Sequence, residues 1–285
     1  MKRVDDPKNW RPHLLVLSGA PTSRWYLVEL ANDFTQNRAL MTVCTTLTTP
    51  DVAVERQNAM EQNIRDYLLH RGVNSLVRVF FYRDPFEGAK RLVDTYGLGQ
   101  MVPNTVLLGA SESLQNEARY CDMLLHFFRS RRNIVVVREN KAKGYGKRKR
   151  IDIWWGGLKA NGGLMIVLAY LLQRSIKWQN AEINLKMLTP SERASEGALE
   201  NLQYIIGQMR MKVNPQVITN EKRDFWNVLQ ERSGAADLVF LGMAEPRASQ
   251  NYQAYYHSLQ EKTAGLPTTV FVLASQETTF EDVLS

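Results

Sequence analysis

The sequence predicts an α/β protein made of two similar halves, each a doubly wound, five-stranded, mainly parallel sheet flanked by helices. Three observations predict it. Short apolar runs alternate with amphipathic segments along all 285 residues. The runs are rich in Val, Leu, Ile and Phe and mostly lack polar alternation, as strands buried on both faces of a parallel sheet do. The order of elements in the first half also recurs in the second, as in an internal structural duplication.

In the first half the expected strands are Leu14–Ser18, Leu40–Thr45, Leu76–Phe81, Thr105–Leu108 and Asn133–Val137. Thr22 and Ser23 are candidate caps for a helix beginning near Arg24, and Thr49-Pro50 is a candidate opening for the next one. Met60, Ile64, Tyr67 and Leu68 fall at i, i+4, i+7 and i+8 and form one apolar stripe. Gly72 suits the end of that helix, after His70-Arg71.

In the second half the expected strands are Ile151–Trp155, Glu182–Met187, Val213–Ile218, Asp237–Leu241 and Thr268–Leu273. Leu199, Leu202, Ile205, Ile206 and Met209 form the stripe of an intervening helix. The two fourth strands are alike. Val106 to Glu112 and Val239 to Glu245 both carry Gly at the strand end and Glu three residues later. The alternative to duplication is that two unrelated α/β segments share a strand-end glycine.

The expected boundaries are therefore a first half over 1–140, a basic linker over 141–150 and a second half over 151–285. The linker region holds Lys141, Lys143, Lys147, Arg148, Lys149 and Arg150 around Gly144 and Gly146. It reads either as a solvated, mobile connector or as a basic segment touching phospholipid or nucleic acid. The connector is the preferred reading.

Composition narrows the function classes. Hydrophobic residues make up 44% and charged residues 23%, the balance of a chain that buries a core rather than of a disordered tail. The net charge of +7 suits an anionic surface without choosing one. Cys44 and Cys121 sit in apolar surroundings and read as reduced core thiols. The longest apolar stretch, Leu164 to Leu172, is far shorter than the roughly 20 residues needed to cross a bilayer. Residues 1–12 are polar, with no signal-peptide hydrophobic region.

No chemistry-bearing motif stands out. The four histidines, His13, His70, His126 and His257, lack metal-ligand spacing, and there is no Cys-x-x-Cys. No Gly-x-Ser-x-Gly elbow and no Gly-x4-Gly-Lys-Ser/Thr loop occurs. Neither a metal nor a cofactor is expected, and no enzymatic activity. The turn Ser18 to Ser23 follows a strand and opens a helix, so it reads as an anion cradle or, preferably, as a tight capped turn in which Pro21 removes a donor. Trp154, Trp155 and Trp226 read as core, and with Tyr145 the one aromatic of the basic segment, nucleic-acid binding is not expected.

Two five-stranded α/β halves resemble the universal stress protein fold. The resemblance implies an ATP site built on glycines after the fourth strand. Gly109 and Gly242 keep the first of those glycines, and the second is missing from both halves. A nucleotide-binding sensor of that type is the alternative function.

Three stretches resemble the C-terminal cytosolic domain of the cation-chloride cotransporters. In the first, Lys8, Asn9, Trp10, Arg11 and Pro12 lead into the first strand, which ends in Ser18-Gly19-Ala20-Pro21 and Ser23-Arg24. The second runs Gly97-Leu98-Gly99-Gln100-Met101, then Pro103-Asn104-Thr105. The third is Asp152 with Trp154-Trp155, followed by Gly162-Gly163-Leu164. Asn161 departs from the pattern, standing where Asp often precedes the two glycines.

The resemblance implies a regulatory and dimerisation domain, compact as in a prokaryotic member, on the cytoplasmic face of the membrane. In the full-length protein a transmembrane domain would move chloride with sodium and/or potassium. Expected partners are a second copy of the chain, that transmembrane domain, and anionic lipid. The residues implied in the family motifs and in coupling to the membrane domain are Asn9, Trp10, Arg11, Pro12, Gly97, Asn104, Asp152, Trp154, Trp155, Gly162 and Gly163.

Overall fold

The structure, a computed structural model, describes residues 10–48, 54–156, 159–207, 212–220, 223–246 and 251–275. The chain divides into two compact units, one spanning Arg11–Val137 and the other built on Arg138–Ser285.

The N-terminal unit runs β1 (Leu14–Leu17), α1 (Trp25–Thr35), β2 (Met41–Leu47), α2 (Val54–His70), β3 (Leu76–Phe81), α3 (Pro85–Thr95), β4 (Thr105–Gly109), α4 (Glu117–Arg129) and β5 (Asn133–Arg138). The C-terminal unit repeats the order with β6 (Arg150–Trp154), α5 (Lys159–Gln173), β7 (Glu182–Thr189), α6 (Glu192–Gly207), β8 (Val213–Thr219), α7 (Phe225–Ser233), β9 (Leu238–Gly242), α8 (Tyr252–Lys262) and β10 (Thr269–Leu273). All ten expected strands are present, with ends shifted by a residue or two.

Strand neighbours in the N-terminal unit are β3-β2-β1-β4-β5, and in the C-terminal unit β8-β7-β6-β9-β10. The two orders are the same, and every pair within each unit is parallel. Leu14 is in register with Met41 and Thr105, and Ile151 is in register with Ile183 and Leu238. The first strand of each unit thus lies at its centre. The chain first winds to one side of it and then returns to the other. This reversal of direction opens a crevice at the carboxyl ends of β1 and β4, and of β6 and β9.

The core follows from the apolar runs. Leu14, Leu15, Val16, Val106, Leu107 and Ile134–Val137 are buried, as are Ile151, Ile153, Leu238–Leu241 and Val270–Leu273. Helix α5 is apolar nearly all round and is buried from Leu164 to Ala169 and again at Leu172. Helix α2 buries less: Leu68 is enclosed, while Met60, Ile64 and Tyr67 of its stripe are half-buried. In α6, Leu202 is buried and Leu199 and Ile206 are half-buried, whereas Met209 lies outside the described residues.

Two local expectations need correction or comment, and one cap was not foreseen. Helix α1 starts after Arg24 without any side-chain cap. The backbone N–H groups of Ser23 and Arg24 donate to the carbonyl of Ala20, so the helix is entered from a tight turn and not through the caps expected at Thr22 and Ser23. Asp84 is a true cap, accepting from the N–H groups of Phe86 and Glu87, with Pro85 opening α3. Thr49-Pro50 lies outside the described residues.

The basic segment is not a solvated connector. Residues 141–147 fold into successive turns within the C-terminal unit. The Asp237 carboxylate accepts from the backbone N–H groups of Lys147, Lys149 and Arg150. Thr268 donates to the carbonyl of Gly144 and accepts from the N–H of Asn140. Tyr145 is buried edge-on against Trp178, with ring centres 6.0 Å apart. Lys141, Lys143, Lys147 and Lys149 are exposed while the backbone is held, and Arg148 and Arg150 are half-buried, a division that charge counting alone does not foresee.

Candidate functional site

The residues of the three family motifs fall into two groups, one in each unit. Asn104, just before β4, organises the first. Its Nδ2 donates to the carbonyl of Arg11 at 2.9 Å, and its Oδ1 accepts from the backbone N–H of His13 at 3.0 Å. Thr105 Oγ1 donates to the same oxygen at 2.8 Å. The Asn104 carbonyl also accepts from Asn133 at the start of β5. One side chain therefore fixes the path of Arg11, Pro12 and His13 into β1. An amide suits the place because it donates and accepts at once.

Gly97 supports the same edge. Its φ of +109° is in the left-handed half of the map, and a Cβ there would stand 2.7 Å from Val102 Cα. Only glycine fits both the conformation and the space. The turn it begins presents Leu98 and Met101 to solvent, 78% and 56% exposed. Asn9 lies outside the described residues, and Trp10 is half-buried.

Asp152 organises the second group. It is fully buried on β6 and accepts from Arg150 Nε and Nη2 at 3.1 and 3.0 Å. Lys186 Nζ on β7 and Ser233 Oγ at the end of α7 each approach at 2.7 Å, and Asn184 Nδ2 at 3.0 Å. Trp154 Nε1 donates to Ser233 Oγ. Lys186, 1% exposed, also donates to the carbonyl of Arg232, where the C-terminal end of α7 offers negative potential.

Burial pushes the Asp152 carboxyl up, but the hydrogen bonds from Arg150 and Lys186 outweigh it and hold the group below the usual carboxylate range. Burial holds the Lys186 ammonium below its ordinary value, only partly offset by Asp152. The set is a closed structural network with no unpaired acceptor waiting for substrate.

Trp155 lies beyond the end of β6 and is half-buried, so it is not core as expected. Its ring packs on Gly162 of α5, where a Cβ would stand 2.6 Å from the indole. Gly163 follows, buried in the same helix. Asn161 is buried and donates to the Met243 carbonyl at 2.8 Å, while accepting from the Ala274 N–H at 2.7 Å. The departure to Asn has a reason here: Asp would lose the donor that holds the end of β9.

Each unit has a cavity of about 310 Å³ at its crevice. In the N-terminal unit Arg24, Ser111, Ser113 and Asn116 stand beside an apolar wall that includes Leu17, Phe86, Leu108 and Met123. In the C-terminal unit the cavity is bounded by Trp154, Trp155, Phe225, Trp226 and Tyr255. Trp226, expected in the core, is half-buried on this wall.

Sequence reasoning missed Lys186, Ser233, Asn184 and Tyr255. None stands in a motif, and only the tertiary fold brings them to their partners. Cys44 and Cys121 are buried and free, and burial raises the Cys121 thiol to about 12, so neither is a nucleophile. Among the described residues there is no cluster of three metal-ligating side chains and no helix long and apolar enough to cross a membrane.

Comparison with known proteins adds to this geometry. Residues 24–144 match the family model for solute carrier family 12. Human solute carrier family 12 member 2 is 35% identical over 144 residues, covering 47% of this chain and 12% of that protein. Mouse solute carrier family 12 member 3 is 26% identical over 213 residues, covering 64% of this chain and 21% of that protein. The matches thus span a small part of those relatives' length.

Among solved structures, the cytoplasmic domain of a prokaryotic cation chloride cotransporter superposes with a TM-score of 0.66 at 16% identity, covering 95% of this chain and 99% of that one. A universal stress protein from Archaeoglobus fulgidus superposes at 0.61 with 11% identity, covering 92% and 98%. The fold is therefore the one those two proteins share. The chain resembles the cytoplasmic domain of the cation-chloride cotransporters of solute carrier family 12, in sequence over residues 24–144 and in fold over nearly its whole length.

Proposed function

We propose that this chain is the cytosolic regulatory and dimerisation domain of a cation-chloride cotransporter. A transmembrane domain of the same polypeptide, N-terminal to Trp10, would carry chloride with sodium and/or potassium. The domain itself is read as non-catalytic. The observation that carries the proposal is the Asn104 clamp on Arg11 and His13, next to residues that match the family model. A chain arriving from the membrane is gripped before its first strand begins, so movement of the unit is transmitted to it rather than lost in a slack tether.

The exposed Leu98 and Met101 belong to the loop just before Asn104, and the protein carries a net charge of +7. Both features suit a surface held against an anionic inner leaflet or the underside of the transport domain. Regulation then means that orientation of this domain biases two states of the transport cycle.

Two measurements test the reading. Sedimentation over a concentration series should show reversible self-association, and a strictly monomeric protein at high concentration counts against the dimer. In the full-length transporter, Asn104→Ala should lower ion uptake at unchanged surface abundance. Uptake equal to the parent protein would defeat the coupling role.

A second reading rests on the crevice of the N-terminal unit, which Arg24 borders, at the place where such folds hold ligands. A nucleotide sensor would bind ATP there. Calorimetry with ATP and Mg²⁺ separates the two readings, since tight binding favours the sensor.

A further inference from the structure

The aromatic cavity of the C-terminal unit is not explained by the proposed function. It sits outside the carboxyl ends of β6 and β9, the position that the other crevice holds in the N-terminal unit, and has the same volume of about 310 Å³. Open α/β sheets hold their ligands in crevices at this topological place, outside the carboxyl ends of the strands where the winding reverses.

Its walls are fixed. Phe225 stands edge-on to Trp154 at 5.5 Å and to Trp226 at 5.0 Å between ring centres. Lys262 covers one face of Trp226, its ammonium 5.4 Å from the ring centre. Trp155 is set against Gly162. Rings held by their neighbours need no rearrangement to receive a ligand, which spares the ordering cost of binding.

The polar groups at the cavity are few. The Asn161 amide is spent on Met243 and Ala274. Tyr255 Oη accepts from the Ala244 N–H at 2.8 Å, which leaves its own proton to donate. Burial raises the Tyr255 pKa, so the hydroxyl keeps that proton throughout the neutral range. Among the described residues that line the cavity none is cationic, and the Lys262 ammonium is engaged on the Trp226 ring.

We propose that this cavity binds a small, uncharged heteroaromatic molecule, its ring between the aromatic walls and an acceptor atom on the Tyr255 hydroxyl. The described lining, aromatic and apolar but for the Tyr255 hydroxyl and the engaged Asn161 amide, suits an uncharged ring better than a phosphate or carboxylate. The large share of ring surface argues against a sugar, which would need several donors and acceptors. The inference stands apart from the transport assignment and is tested separately.

The probe is quinoline, which is neutral near pH 7 and carries one ring nitrogen as acceptor. Naphthalene, of the same shape without the acceptor, and quinoline-2-carboxylate, with a charge, are the controls. Titration into the full chain is followed by the indole N–H signals of Trp155 and Trp226 and by tryptophan fluorescence. Saturable, sub-millimolar quinoline binding at those indoles is expected, with the carboxylate excluded.

Naphthalene should bind about tenfold more weakly, as the loss of one hydrogen bond implies. Tyr255→Phe should remove the difference between quinoline and naphthalene while leaving the fold intact. The proposal is overturned if quinoline leaves both indoles unmoved up to its solubility. It is also overturned if the carboxylate binds as well as quinoline, or if naphthalene matches quinoline in the parent protein. The ligand comparison alone is decisive should the variant fail to fold.

Discussion

Asp152 and Lys186 meet at 2.7 Å inside the C-terminal unit, each with almost no exposed surface. Their attraction is set against the loss of two hydration shells, so the pair is secured by its surroundings: Arg150, Asn184 and Ser233 on the carboxylate, and the Arg232 carbonyl on the ammonium.

The two halves of this pair should not be equally dispensable. Asp152→Ala leaves the enclosed Lys186 ammonium without a counter-charge and should cost about 3–5 kcal/mol of unfolding free energy. Lys186→Met should cost less, because Arg150, Asn184 and Ser233 still satisfy the carboxylate. Urea unfolding of the two variants and the double variant gives the coupling. Equal costs with no coupling would contradict the network.

The pH dependence follows from the direction of the Asp152 shift. Its folded pKa lies below the unfolded value of about 3.9, so the stabilisation is fully present above that value. It is lost as pH falls through the folded pKa. Acid titration of the parent protein against Asp152→Asn should therefore show converging stabilities below about pH 4, the unfolded value used above. Curves that stay parallel into strong acid would show that the carboxylate contributes no titratable stability.

Asn104→Ala removes the clamp on Arg11 and His13. Three lost side-chain hydrogen bonds, with Arg11, His13 and Thr105, imply a global cost of about 1–4 kcal/mol. A sharper signature is local: amide exchange at His13, whose N–H donates to Asn104, should speed up well beyond the change at Val16 in the centre of β1. Asn104→Asp keeps the acceptor for His13 and Thr105 but loses the donor to Arg11. It should fall between the parent and Asn104→Ala.

Gly97 and Gly99 test conformation against space. Both have positive φ, +109° and +56°. A Cβ on Gly99 meets nothing within 4 Å, so Gly99→Ala should cost only the left-handed strain of about 1–2 kcal/mol. A Cβ on Gly97 meets the Val102 backbone at 2.7 Å, so Gly97→Ala should cost clearly more and displace the Leu98–Met101 loop. Thermal unfolding of the two variants side by side provides the comparison.

Much of the fold was legible because parallel strands enclosed on both faces must be written as apolar runs. Val106–Leu108, Ile134–Val137 and Val239–Leu241 admit no other placement. The duplication was legible from the matched fourth strands. The motif residues could be marked, but their roles could not. Asn104, Asp152 and Trp155 are adjacent in sequence to none of the partners that define them, except Thr105 beside Asn104.

By itself, then, the amino-acid order determined the ten strands, their grouping into two like halves and the family resemblance, since each depends on local pattern. Tertiary structure decided what the polar residues do. Arg150, Asp152, Asn184 and Lys186 alternate with apolar neighbours along β6 and β7, where the apolar runs are broken by polar groups. The end of α7 closes over these groups and they satisfy one another. The basic stretch, likewise, is a solvated run until Asp237, some 90 residues on, takes hold of its backbone. A hydrogen bond between distant residues depends on where both ends lie in space, and no local pattern carries that information.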